Sequence, residues 1–309
     1  MERKNERLEE NPDGKYSGFG CFAYLGSCWQ KDNILYPRGV IMRLFIAQGS
    51  ALGGAVNLDI PKGKYAGLLI RIFGTTNTGQ TLALSDIGQL RVNRHGKEVI
   101  SESFDFFHCY DDLKGGFLPT VTGGAAAAED VFCLIPFALP ELPNVMNVLT
   151  NEEADLRLDF DTATMNTRFG ANPCTYQVYG YMTPDIDEHY QLLIREQDVQ
   201  ATGAGRLSDA LNGSNLAALY LIDDSDVIDS YSLAVDGSIV VDNIDDDVER
   251  AVTSFENSVE AANRIAEVNL VRTGNFANAI NGVAKIELVF NAGGTVNLTA
   301  FQISKVTAQ

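Results

Sequence analysis

Short stretches in which hydrophobic and polar residues alternate occur in both halves of the chain, and they follow the same order in each half. The stretches are rich in Val, Ile, Leu and Phe and are separated by glycine or proline, which is typical of β-strands. They begin at Gly67, Ser85, Asp155 and Thr175 in the first half and at Leu216, Val227, Ala284 and Val296 in the second. The pattern predicts two similar β units in one polypeptide.

Each unit contains an L-x-V motif that is followed closely by a glycine. Residues two positions apart lie on the same face of a strand, so the motif indicates a half-buried strand. The glycine and its polar neighbours indicate the tight turn of a hairpin. The motif residues are Leu90, Val92 and Gly96 in the first unit and Leu233, Val235 and Gly237 in the second. Both motifs predict a strand, a turn and a second strand.

A helix-compatible segment follows each hairpin. In residues 245–267, four apolar residues are spaced at intervals of four, three and four, which predicts an amphipathic helix. These residues are Val248, Val252, Phe255 and Val259. The acidic residues at the start of this segment suit the positive end of the helix dipole. In the first unit, the aromatic residues of 101–114 predict a shorter helix with one apolar face.

The division into domains follows from the length of the chain and from two polar segments. A chain of 309 residues exceeds the usual size of one domain and suits two. Residues 1–16 are charged and end in turn-forming residues, which predicts an N-terminal arm. Residues 185–205 are polar and end in a cluster of Gly, Ala and Thr, which predicts a linker. The first β unit then occupies 17–184 and the second 206–309.

The composition restricts the classes of partner. Hydrophobic residues make up 45% of the chain, which is enough for a sizeable core. The 41 acidic residues exceed the 23 basic ones, so the formal net charge is -18. Because such a chain repels a phosphate backbone, we expect no direct binding to DNA or RNA.

The cysteines and the N-terminus indicate the compartment. The five cysteines are an odd number and include no C-x-x-C pair, which favours free thiols in a reducing compartment. The first residues lack the apolar core of a signal peptide, and no stretch has the length and hydrophobicity of a membrane span. We therefore expect neither a secretion signal nor a transmembrane segment.

The sequence shows none of the common motifs of catalytic, phosphate-binding or zinc sites, and its three histidines lie in unrelated contexts. We therefore predict no enzyme activity and no cofactor. The acidic run at 223–229 contains candidate ligands for a hard cation, namely Asp223, Asp224 and Asp226. The run lacks the glycine and terminal glutamate of an EF-hand, so a solvated acidic turn is the favoured interpretation and no metal is predicted.

Aromatic residues are concentrated in one strand-like stretch that contains Tyr176, Tyr179 and Tyr181. Such rings are compatible with a platform that stacks on sugars. Because β-strands favour aromatic residues in any case, an ordinary sheet is the favoured interpretation.

The two β units, each with an L-x-V hairpin, a helical insertion and a closing pair of strands, resemble the double jelly-roll major capsid proteins. The resemblance is to the smaller members, from tailless icosahedral bacteriophages with an internal membrane, in the lineage of the adenovirus hexon. It covers about 39–305, and the part from Leu233 to the AKIELVF stretch at Ala284 is most similar to a second roll. The resemblance implies an all-β fold of two consecutive eight-stranded jelly rolls with short helical insertions.

The resemblance also implies a function. A protein of this kind forms a homotrimer, and its six rolls give a pseudo-hexagonal capsomer of an icosahedral shell. The implied partners are neighbouring capsomers, minor capsid or penton proteins, and the internal viral membrane, which residues 1–16 would approach. The implied location is the virion, after synthesis in the host cytoplasm. Two alternatives remain open: a carbohydrate-binding or glycan-active protein with two jelly rolls, and a trimeric viral spike.

Overall fold

The structure is a computed structural model, and it describes nine ranges of the chain. These are residues 42–114, 126–137, 139, 149–151, 155–182, 190–223, 225–257, 265–273 and 282–305. The predicted N-terminal arm, residues 1–16, lies outside the described residues. None of the helices within these ranges is long and apolar enough to cross a membrane.

The first part of the chain forms a sandwich of two sheets. Its strands are β1 (Met42–Ser50), β2 (Ala55–Asp59), β3 (Gly63–Thr75), β4 (Gln89–Arg94), β5 (Lys97–Ser103), β6 (Ala128–Pro136), β7 (Leu149–Asn151), β8 (Arg157–Asp161) and β9 (Cys174–Met182). One sheet has the order β1-β9-β3-β6, and the short β7 pairs with β3. The facing strands have the order β2-β8-β4-β5. Helix α1 (Phe104–Leu113) follows β5, and helix α2 (Met165–Phe169) lies between β8 and β9.

The second part forms another sandwich. Its strands are β10 (Tyr190–Ala201), β11 (Gly205–Ser214), β12 (Leu216–Ile222), β13 (Ile228–Val235), β14 (Ser238–Asp245), β15 (Ile265–Asn269), β16 (Val283–Phe290) and β17 (Gly294–Lys305). One sheet contains β15-β12-β17-β10, and the other has the order β11-β16-β13-β14. Helix α3 (Asp246–Asn257) follows β14, just as α1 follows β5.

The two sandwiches have the same topology. In each, one sheet contains the first, last, third and sixth strands, and the other contains the second, next-to-last, fourth and fifth. This is the arrangement of an eight-stranded jelly roll, with β7 as an additional strand in the first roll. The predicted fold class, all-β with two consecutive jelly rolls and short helical insertions, is confirmed.

Both predicted hairpins are present, between β4 and β5 and between β13 and β14. Each turn consists of two residues with positive φ, His95 and Gly96 in the first roll and Asp236 and Gly237 in the second. Two consecutive residues of this kind match the right-handed twist of the flanking strands, and glycine at the second position adopts the conformation without strain. The repeated glycine in the sequence therefore marks equivalent turns.

The segment 185–205, predicted as a linker, instead contains the strand β10. This strand pairs with β17 along its whole length, from Tyr190 opposite Lys305 to Ala201 opposite Gly294. Sequence analysis missed this strand because its composition is polar and few of its described side chains are buried, namely Leu192, Ile194 and Val199. The second roll needs β10 as its first strand, so it begins at Tyr190 rather than at residue 206.

The two rolls share a sheet. Strands β5 and β10 pair in parallel, with Ile100 opposite Ile194 and Ser101 opposite Arg195, and this pairing joins one sheet of each roll into eight strands. One hydrophobic core fills the first roll and also includes α1 and one face of β12 and β17. A second core fills the second roll. The outer face of the second roll is thus buried by the first.

Candidate assembly interface

Helix α1 forms the centre of the contact between the two rolls. The hydroxyl of Ser103 accepts a hydrogen bond from the Phe106 N–H at 3.0 Å and caps the helix. On the side of its own roll, α1 packs against β5 and β6. On its other side, four aromatic rings meet, with centroids 4.8 to 6.1 Å apart: Phe106 and Tyr110 of α1, Tyr220 of β12 and Phe301 of β17. All four side chains are buried.

A buried ion pair lies beside this aromatic cluster. Lys114, which follows α1, pairs with Glu267 of β15, a residue 153 positions away in the sequence. The Tyr220 hydroxyl donates to Glu267 at 2.9 Å, and the amide of Asn257 donates to its other oxygen at 2.7 Å. Burial acts to raise the pKa of Glu267, but the positive charges of Lys114 and Arg272 outweigh it and hold the pKa at about 2.

Two further carboxylates lie at the seam where β5 meets the second roll. Glu102 of β5 is fully buried and accepts a hydrogen bond from the Thr299 hydroxyl of β17. Burial, with the nearby charge of Glu196, raises the pKa of Glu102 to about 8. Glu196 of β10 accepts hydrogen bonds from Gln89 of β4, at 2.9 Å, and from Asn297 of β17. Polar side chains from both rolls therefore bond across the seam.

Helix α3 takes the equivalent position in the second roll, against β14 and β15, but the face that it turns to its own roll is polar. Its polar residues face its own roll, and the buried ones are Asp246, Glu249, Thr253 and Asn257. The Thr253 hydroxyl accepts the N–H of Glu267 at 2.9 Å, so this face is bonded to β15. Three of the four apolar residues of the predicted stripe face outward: Val248 is 50% exposed, Val252 37% and Phe255 85%. The fourth, Val259, lies outside the described residues. None of the residues that the structure describes covers this apolar face of the amphipathic helix.

Two sheet edges carry exposed apolar residues. Strand β1 is the edge of the sheet β1-β9-β3-β6, and Met42 and Phe45 on it are about half exposed. Strand β14 is the edge of the sheet β11-β16-β13-β14, and Ile239 on it is 66% exposed. Within the described ranges, each of these strands pairs with a neighbour on one side. Edges of this kind present backbone donors and acceptors that another chain can use.

The acidic run at 223–229 folds a loop. The carboxylate of buried Asp223 accepts the backbone N–H groups of Val227 and Ile228 at 2.6 and 2.7 Å. Asp224 lies outside the described residues, whereas one carboxylate oxygen each from Asp223, Asp226 and Asp246 lies within 4.8 Å of the others. Sequence analysis missed Asp246 because it belongs to α3.

Arg250 provides the positive charge at this cluster, since its guanidinium lies 2.8 Å from Asp246 and 3.4 Å from Asp226. Burial raises the pKa of Asp246 to about 6, against the opposing effect of Arg250. The arrangement is that of an ion-paired helix start. Loop folding and helix docking account for the carboxylates that the structure describes here.

The three tyrosines of β9 do not share one face. Tyr176 packs edge-on against Phe160, with ring centroids 5.7 Å apart, and adjoins the core of the first roll. Tyr179 lies on the opposite, outer face and contacts Phe45 in the same way at 5.5 Å. A single sugar-stacking platform of the kind considered from the sequence is therefore not formed.

Comparisons with known proteins bear on the fold. No protein-family model and no curated protein matches the sequence. Among solved structures, the major capsid protein of bacteriophage PM2 is similar, with a TM-score of 0.66 and 12% identity over 87% of this chain and 99% of that chain. A protein in the structure of Sulfolobus Turreted Icosahedral Virus gives 0.64 and 10%, over 86% and 91%. The capsid of virus PBCV-1 gives 0.62 and 11%, over 89% and 98%. The chain therefore has the double jelly-roll fold of these viral capsid proteins.

Proposed function

We propose that this chain is the structural major capsid protein of an icosahedral virus shell. The observation that carries the proposal is the pair of equivalent jelly rolls joined side by side through β5, β10 and α1. The solved proteins that share this architecture over most of their length include a major capsid protein and a virus capsid by their own descriptions. One hydrophobic core extends from the first roll into the second and so holds the two rolls in a fixed relation, which suits a building block.

The proposed capsomer is a homotrimer. Each chain contributes two rolls, so three chains supply six rolls in a pseudo-hexagonal outline that packs with neighbouring capsomers. A closed ring of identical chains requires each chain to present two different, complementary surfaces. The exposed stripe of α3 and the open edges of β1 and β14 are apolar surfaces of the kind that such contacts bury.

Further partners belong to the same proposal. Minor capsid or penton proteins would fill positions in the shell that the trimer does not fit, and residues 1–16 would approach an internal viral membrane. The protein would be made in the host cytoplasm and located in the virion, and it would act as a structural protein rather than as an enzyme. Its excess of acidic residues supports a shell without direct contact to nucleic acid.

The mass of the purified full-length protein tests the proposal. We expect size-exclusion chromatography with light scattering to give three times the 33.6 kDa of one chain. Electron microscopy of the same fraction should show compact particles with a six-cornered outline. A monomer at all concentrations would overturn the proposal, and binding of that monomer to oligosaccharides would favour the glycan-binding alternative. An elongated trimer would favour a viral spike.

A further inference from the structure

The two helices that follow the hairpins can be compared position by position from their first residues. The third, seventh and tenth residues are Phe106, Tyr110 and Leu113 in α1 and Val248, Val252 and Phe255 in α3. All six are apolar or aromatic. Those of α1 are buried, and two of them contact the outer face of the next roll. Those of α3 are exposed, although they occupy the same helical positions.

The surface that covers α1 has a counterpart in the first roll. In the second roll, the outer face of the sheet presents a row across four strands, Ile194, Phe301, Ala218 and Asn269, and α1 packs beside it. In the first roll, the equivalent strands β1, β9, β3 and β6 also present a row of paired residues. These are Phe45, Tyr179, Leu69 and Leu134, which we call the outer row. Phe45 in this row is 52% exposed.

The strand edges repeat the same relation. Within the chain, the fifth strand of the first roll, β5, lies in parallel beside the first strand of the second, β10. Two equivalent strands take no part in that pairing: β14, the fifth strand of the second roll, and β1, the first strand of the first roll. Both are sheet edges in the part of the chain that the structure describes. The helix stripe, the outer row and the two edges thus form one incomplete copy of the contact that already exists between the rolls.

We propose that α3 of one chain docks on the outer row of a second copy, with β14 lying in parallel beside β1 of that copy. The inference rests on the proposed trimer and specifies its interface. The contact is heterologous, because one chain supplies the helix and the next supplies the sheet. Each step from one roll to the next around the ring, within a chain or between chains, then uses the same type of packing. Val248, Val252 and Phe255 become buried as Phe106 and Tyr110 already are.

Glutamate substitutions in each half of the contact test the proposal on the full-length protein. Val252→Glu and Phe255→Glu place a charge in the helix stripe, and Phe45→Glu places one in the outer row. We expect each to raise the dissociation constant of the oligomer at least about tenfold, since a charge without a partner becomes buried. The matched control is Leu207→Glu, because Leu207 is 37% exposed like Val252 but lies on β11, at the far edge of the sheet from β14. The control should assemble as the unchanged protein does.

A mixing experiment tests the direction of the contact. The Val252→Glu chain has an unchanged outer row, and the Phe45→Glu chain has an unchanged α3. In an equimolar mixture, α3 of the Phe45→Glu chain can therefore dock on the outer row of the Val252→Glu chain. We expect a heterodimer in the mixture by light scattering, while each variant alone is monomeric. Phe45→Glu chains that still associate alone would instead indicate a symmetric contact between α3 helices and would overturn the proposal.

The controls separate the possible failures. Circular dichroism and thermal melting establish that each variant is folded. If Phe45→Glu does not fold, Phe45→Ser replaces it, because this change removes the ring without adding a charge. Variants of both surfaces that remain trimeric would overturn the docking of α3 and leave the proposed capsomer intact. An unchanged protein that is monomeric would overturn both.

Discussion

Helices α1 and α3 follow equivalent hairpins in equivalent rolls, yet one is buried almost completely and the other exposes its apolar stripe. The difference lies in what each roll has beside it. The first roll has the second roll, whose outer face supplies Tyr220 and Phe301 to cover α1. Within the described residues, no further roll lies beside the second one. This difference supports the proposal that the apolar residues of α3 form one half of a contact between chains.

The polar faces of the two helices differ as well. Helix α3 bonds Glu267 in two ways: the Thr253 hydroxyl accepts its backbone N–H, and the Asn257 amide donates to its carboxylate, which also pairs with Lys114 after α1. Both helices are thus tied to one buried acid on β15. A helix held by its polar face can keep an apolar stripe free for a partner, because its position does not depend on burying that stripe.

The largest expected effect comes from truncating the same helical position in both helices. Phe106→Ala removes ring contacts in a buried cluster and leaves a cavity, so we expect a loss of about 3 to 5 kcal/mol in the free energy of unfolding. Val248→Ala, at the same position of α3, should change it by less than about 0.5 kcal/mol in the monomer. Urea unfolding at a protein concentration below that of assembly measures both. Equal losses would contradict the difference in burial on which the comparison rests.

The next effect concerns the acid that both helices share. Lys114→Ala leaves Glu267 buried without its main counter-charge, and we expect a loss of about 3 kcal/mol in the free energy of unfolding. Arg272 and Asn257 still contact the carboxylate, which keeps the loss from being larger. Lys285→Ala, which removes an exposed lysine of β16, is the control and should have little effect. A stability unchanged by Lys114→Ala would show that the pair does not hold the helices.

The smallest effect is a dependence on pH at the seam beside α1. The pKa of Glu102 is about 8 in the folded chain, well above its ordinary value of 4.5, so the folded chain keeps a proton that the unfolded chain releases. This contribution to stability is complete below the ordinary value and is lost as the pH rises through about 8. Glu102→Gln should remove this fall in the free energy of unfolding between about pH 5 and pH 8.

Urea unfolding of the Glu102→Gln variant and the unchanged chain at the two pH values measures this fall. Glu98→Gln, at an exposed position of the same strand, is the control and should keep the dependence. If Glu102→Gln keeps it too, another group is responsible.

The repeat, the hairpins and the spacing of α3 were predictable because they depend on neighbours in the sequence. A two-residue turn with glycine requires a few adjacent positions, as at Asp236 and Gly237, and an apolar spacing of three and four fixes a helix by itself. The acidic loop at Asp223 was visible for the same reason, although its partner Asp246 was not.

The sequence by itself determined the two β units, their turns and the existence of an amphipathic helix after each hairpin. Only the tertiary structure decided that β10 is a strand, that α3 faces outward and that Lys114 meets Glu267. The physical reason is the same in each case. A polar strand, or a helix that packs through its polar face, is stable only when distant residues supply its hydrogen bonds and counter-charges, and those residues come together only when the two rolls pack side by side.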